Sequence, residues 1–107
     1  MNFFIPLSDA PEKELVPGFF FKMIHTDKVT VAHVWVRAGS VLPEHQHVHE
    51  QVSNVLEGEF EMTVGGHTQL CQAGDVVSIP SSVPHSARAI TDCYIVDVFC
   101  PVREEYK

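Results

Sequence analysis

Cysteine is scarce: Cys71, Cys93 and Cys100 are odd in number, widely spaced and form no CxxC pair, which excludes a disulfide framework, a thiolate zinc site and a redox dithiol. They read as reduced core or strand residues. Positive charge is scarce too, with 7 Lys+Arg against 14 Asp+Glu for a formal charge of −7, so the chain lacks a surface that could track the phosphates of nucleic acid. No apolar run approaches the roughly 20 residues of a membrane span. The opening Met1-Asn2-Phe3-Phe4-Ile5-Pro6 has no basic stretch and is interrupted by Pro6, Ser8 and Asp9 before a secretory core could form. Neither nucleic acid nor membrane is therefore an expected partner, and the expected compartment is the cytoplasm. Helix signals are nearly missing: only Asp9-x-x-Glu12 resembles a capping box, and Pro17-Gly18 stops it within two turns. There is no low-complexity tract and no tandem repeat.

What remains is 107 residues, 45% of them apolar, enough for one compact domain bound to a small partner rather than a polymer. Turn signals recur at short intervals, at Ala38-Gly39, Glu57-Gly58, Gly65-Gly66, Ala73-Gly74-Asp75, 80–84 and Thr91-Asp92, the mark of an all-β sandwich or barrel. Between them, β-branched and aromatic residues predict strands over 29–37, 51–56, 60–64, 76–79 and 93–99. Gly65-Gly66 fits a two-residue hairpin, whose type I′ turn needs positive φ at both positions. Residues 1–28 form an N-terminal arm to a barrel core over 29–99, with 100–107 as a tail. Within the arm, Phe19-Phe20-Phe21 is too apolar for one exposed strand face. It is either a strand covered on both sides or the contact of a homodimer, the quaternary state expected here.

Four of the seven histidines fall at expected strand ends, His45, His47 and His49 in HQHVHEQ and His85 after Pro84. Alternate side chains of an extended chain share a face, so His45, His47, His49 and Gln51 can point the same way. Neutral imidazole and amide oxygen suit a divalent first-row ion, and a ligand from a distant strand end would complete the cage. The opposing reading is a solvated His-rich loop. His67 reads as a surface hairpin residue and His33 as a polar strand residue that at most lines the cavity.

The spacing Gly39-x5-His45-x-His47-x3-Gln51-x6-Gly58 resembles the first cupin motif, and Gly74-x5-Pro80-x4-His85 the second. The resemblance covers residues 39–89 and implies a cupin double-stranded β-helix, a jelly-roll barrel. It also implies one divalent first-row transition metal (Ni, Mn, Fe, Co or Zn) inside, bound by His45, His47, Gln51 and His85. Three departures stand out. Gln51 replaces the usual acidic ligand, Ser82 stands where glycine is common and Ala89 where asparagine is common. A bulge would swap Glu50 for Gln51, but strict alternation points Glu50 away from the histidines. An amide in place of a carboxylate leaves the ion's full charge, so the site should attract an anionic ligand.

The last strand carries a second signal. Cys93-Tyr94-Ile95-Val96-Asp97-Val98-Phe99 is apolar except for Asp97, and burying a lone carboxylate is costly unless a cation, a metal or donors meet it. Asp97 enters the cavity if Ile95 and Phe99 face inward; otherwise it pairs structurally with Arg88, Arg37 or Arg103. The runs VLEGEFEMTVGG and DVFCPVREEY are similar to the pectin-degradation cupins of the KdgF type, which open the ring of 4,5-unsaturated monouronates to the linear keto form. That resemblance implies that Asp97 shuttles a proton, Arg103 clamps the carboxylate of a small anionic carbohydrate, and Phe99 forms an apolar wall, with Gln51 at both metal and substrate. A cupin dioxygenase and a non-catalytic, ligand-sensing metal-binding cupin are the alternatives.

Overall fold

The computed structural model describes residues 3–107; Met1 and Asn2, the start of the segment read above for a leader, lie outside the described residues. Ten strands run among the described residues in two antiparallel sheets. The larger sheet orders β1 (Glu12–Val16), β2 (Phe19–His25), β3 (Thr30–Val36), β10 (Cys93–Cys100), β5 (Glu50–Glu57) and β8 (Val76–Ile79). The smaller orders β4 (Val41–His45), β9 (His85–Ala89), β6 (Phe60–Val64) and β7 (His67–Cys71). This is the all-β jelly roll expected from the turn spacing. Among the described residues, helix is confined to two 3-10 turns, Leu7–Asp9 and Glu104–Tyr106. No helix among the described residues is long and apolar enough to cross a membrane.

Alternation drives the packing. β3 buries Thr30, Ala32, Val34 and Val36 and leaves Val31, His33 and Trp35 on its other face. The buried side chains of β3, β5 and β10 meet Phe60 and Met62 of β6 and Ala87 and Ala89 of β9 in one core between the sheets. Gly65 and Gly66 have φ of 55° and 83°, as the tight β6–β7 turn requires. Gly58, with φ 90°, is required for another reason: a Cβ there would meet the Asp92 carbonyl oxygen at 2.2 Å. That close approach lets the β5–β6 turn rest on the start of β10.

One expectation changes: the segment expected as an N-terminal arm is built into the barrel, because β1 and β2 form a hairpin that continues the larger sheet beside β3. Phe19 and Phe21 point into the core while Phe20 lies half-buried on the outer face under the Arg37 guanidinium, 4.9 Å from its ring centroid. Phe19-Phe20-Phe21 is thus neither wholly covered nor exposed. His33 is the polar strand residue expected: it lies on β3, stacks with Trp35 and Tyr94 on the outer face and does not line the cavity.

Candidate metal centre

Both sheets and one loop converge on the open end of the barrel. His45 ends β4 and His85 begins β9, directly opposite in register, with ring centroids 4.2 Å apart. His47 arrives from the loop between β4 and β5, its ring 4.9 Å from that of His85 and 5.7 Å from that of His45. One ligand atom from each of the three lies within 4.8 Å of the others. The alternation argument therefore gathered the right imidazoles through a break in the strand. Residues 46–49 are loop rather than extended strand, and this turns His49 aside, so that it is not part of the triad. Gln51, only 6% exposed, faces the cavity, whereas Glu50 is exposed.

The hydrogen bonds fix the tautomers. Nδ1–H of His45, His47 and His85 donates to the carbonyl oxygens of Pro43 (2.9 Å), His49 (2.9 Å) and Val83 (2.8 Å). Each Nε2 is left as a lone pair facing the common centre, the arrangement that metal-bound imidazoles adopt. Nε2 of His85 is buried without a hydrogen-bond partner, a loss that a cation would repair. Burial pushes the His47 and His85 imidazoles below their ordinary pKa. The hydrogen bonds to the His49 and Val83 carbonyls, and for His47 the Gln51 contact, act against this, while Arg103 and the neighbouring imidazoles add to it, and the net direction favours neutral rings.

Gln51 adds an oxygen as the fourth donor. Ser53 and Gln51 both hydrogen-bond the Asp97 carboxylate, so the Ser53 hydroxyl gives its proton there and accepts from Gln51 Nε2 at 2.9 Å. That turns Gln51 Oε1 toward His47 Nε2 at 3.2 Å. Two lone pairs facing at this distance repel, and a cation shared by them would relieve that repulsion. The donor set fits a divalent metal with three nitrogens and one neutral oxygen. Ser82, with φ of 63°, is in the left-handed region that favours glycine. Its N–H donates to the His47 carbonyl at 2.7 Å, tying the β8–β9 turn to the metal loop.

Behind the triad lies a cavity of about 320 Å³, walled by apolar side chains such as Phe19, Met23, Phe60 and Met62 and reached by Asp97, Phe99 and Arg103. Asp97 sits opposite Ser53 and Ala32 in the sheet, and its Oδ1 is buried with no partner. Burial pushes its pKa up to about 6, against hydrogen bonds from Ser53 and Gln51 and the charge of Arg103. Among the described residues it forms no ion pair: Arg88 pairs with Glu61, Arg37 covers Phe20, and Arg103 pairs with Glu105. The guanidinium of Arg103 is clasped between the rings of Phe99 and Tyr106, 4.8 and 4.7 Å from their centroids.

Thr30 and Tyr106 escaped the sequence reading. Thr30 is fully buried, and its Oγ1 accepts the backbone N–H of Arg103 at 2.8 Å while bonding His25 Nδ1 at 2.8 Å. No sequence signal marks a buried threonine as the anchor of a segment 73 residues away. Thr30→Val keeps the volume and strands that N–H, which costs about 1–3 kcal/mol. Urea unfolding should read that loss with the metal content unchanged.

The chain matches the Cupin domain family over residues 32–99 and belongs to it. It is 25% identical to the pectin degradation protein KdgF of Dickeya dadantii (strain 3937) over 101 residues, 92% of each chain. Among solved structures, an RmlC-like cupin from Shewanella frigidimarina NCIMB 400 matches with a TM-score of 0.92 and 29% identity, over 100% of this chain and 97% of that one. KdgF from Halomonas sp. matches with a TM-score of 0.89 and 29% identity, over 100% and 99%.

Proposed function

We propose that the chain is a metal-dependent enzyme that opens and ketonises 4,5-unsaturated monouronates, with the metal on His45, His47, Gln51 and His85. The observation that carries this reading is the buried Asp97 carboxylate beside the imidazole triad, its Oδ1 without a partner, with a clasped arginine at the same cavity. A ligand-sensing cupin has no need of such an acid. Similarity to KdgF of Dickeya dadantii and of Halomonas supports the substrate class.

A divalent ion held by His45, His47, Gln51 and His85 would supply Lewis acidity toward the sugar's oxygens. The residues do the rest. Arg103 holds the uronate carboxylate through its planar fork, and Phe99 packs against the ring. The anomeric hydroxyl loses its proton, the bond between C1 and the ring oxygen breaks as C1 becomes a carbonyl, and the electron pair passes into the enol unit. C4 then takes a proton as C5 becomes a ketone. The reaction is an isomerisation without a co-reactant, and Asp97 can both accept the first proton and deliver the second.

Loss of the ultraviolet absorbance of an unsaturated monouronate on adding metal-loaded protein, without uptake of dioxygen, tests the proposal. Oxygen consumption would point to the dioxygenase alternative instead. Arg103→Ala should raise KM about tenfold or more with a smaller effect on kcat, because a carboxylate clamp contributes mainly to binding. An unchanged KM would remove Arg103 from the site.

A further inference from the structure

Building on the uronate reading of this cavity, we propose that the Tyr106 hydroxyl touches the substrate directly, completing with Arg103 a clamp that selects a carboxylate. Arg103 carries five N–H donors in a rigid fork, on a side chain only 11% exposed. Its Nε–H donates to Glu105 Oε1, and Nη2 donates to the Tyr106 oxygen at 3.4 Å. Among the described residues the guanidinium has no other acceptor. The edge that presents Nε and Nη2 side by side is therefore taken. The edge of Nη1 and Nη2 is open, and each of these nitrogens still has an N–H to give. Donors so little exposed are costly to leave unmatched, and a planar, two-oxygen anion is the group that matches this edge.

The phenol stands beside that edge. Tyr106 is half-buried, lines the same cavity as Arg103 and stacks on its guanidinium. Stacking needs the ring alone, since Phe99 clasps the other side of the guanidinium without a hydroxyl. The 3.4 Å contact to Nη2 is longer than a good N–H···O bond, about 2.7–3.2 Å. It also uses the tyrosine oxygen as an acceptor, so the phenolic proton has no acceptor among the described residues. A buried tyrosine hydroxyl usually has a partner. A carboxylate on the open edge supplies one: its first oxygen takes Nη1–H, and its second takes Nη2–H together with the Tyr106 proton.

The tail holds these donors in place before any ligand arrives. Thr30 Oγ1 accepts the Arg103 backbone N–H at 2.8 Å, and the Tyr106 N–H donates to the Arg103 carbonyl at 3.0 Å. One short turn thus fixes guanidinium and phenol relative to each other, which lowers the ordering cost of binding. A neutral hydroxymethyl group in place of the carboxylate has one oxygen and no charge. It would leave donors of the clamp unmatched, and sites built to hydrogen-bond a ligand group reject ligands that lack it.

Tyr106→Phe keeps the ring and removes the hydroxyl. Calorimetry of metal-loaded protein with D-glucuronate, a saturated uronate without the enol unit, should show binding about tenfold weaker than in the parent, the scale of one hydrogen bond to a charged group. KM for the unsaturated monouronate should rise by a similar factor with kcat unchanged. Metal content and the urea midpoint should stay at parental values, which a merely structural hydroxyl would not allow. In an Arg103→Ala background the same substitution should leave kcat/KM nearly unchanged, because the fork no longer brings the carboxylate to the phenol. Parental glucuronate affinity in Tyr106→Phe, or a full loss in the Arg103→Ala background, would overturn the clamp while leaving the ketonisation in place. Tyr106-dependent glucuronate binding by a protein that turns over no unsaturated monouronate would overturn the reaction and keep the clamp. A parent protein that neither binds the one nor converts the other would overturn both.

Discussion

His47→Ala and His85→Ala should each purify with metal content near zero, against one ion per chain in the parent protein. Elemental mass spectrometry checks this. The expected effect is large because the three imidazoles are arranged as one unit, with each Nδ1 tied to a backbone carbonyl and each Nε2 left without a proton. Removing one leaves two nitrogens and an amide, a set too weak to compete with water for a divalent ion. The barrel should survive, since its core is built from apolar residues such as Val34, Val55, Phe60 and Ile95 and does not depend on the site. The two variants should differ in stability. His85 is 2% exposed, so its truncation also opens a cavity, whereas His47 lies on a half-buried loop. Unchanged metal content in both variants would refute the triad.

Legibility in the sequence followed the physics of each element. The expected strands over 60–64 and 76–79 coincide with β6 and β8, and those over 29–37, 51–56 and 93–99 differ from β3, β5 and β10 by a residue at one end or both, because these segments have strong β propensity and lie between clear turns. Four other strands left no such signal. β1 is mostly charged, β4 contains Pro43 and lies at a sheet edge, β7 is exposed over most of its length, and β9 packs through small residues, Ala87 and Ala89. Their conformation comes from neighbours, which a local pattern does not encode. The site shows the same division. Spacing and alternation singled out His45, His47, Gln51, His85 and Asp97, whose side chains meet at one cavity. The anchoring of Arg103 by Thr30 and Tyr106 depends on contacts between the tail and β3 and within the tail's final turn, so it became visible only in three dimensions.

Asp97→Asn should lower turnover on an unsaturated monouronate by about 10²–10⁴-fold, the usual cost of losing a positioned general acid or base, while metal content stays at the parent level. The amide has nearly the same shape and can keep contact with Ser53, but it can neither take the anomeric proton nor deliver one to C4. Loss of fold cannot account for such a result. Burial raises the Asp97 pKa from 3.8 to about 6, so the folded state disfavours its charged form. That penalty is absent below pH 3.8, develops as pH rises through this range and is complete above about 6. At neutral pH the neutral asparagine relieves it, so Asp97→Asn should unfold at a denaturant concentration no lower than the parent protein. The KM should move little, because Arg103 and the metal ligands are untouched, and this separates Asp97→Asn from the KM effect expected of Arg103→Ala. Full parental turnover in Asp97→Asn would make Asp97 structural and move the proton transfer to another group. Activity that fell together with metal content would instead make Asp97 a support for the metal ligands, acting through its contact with Gln51.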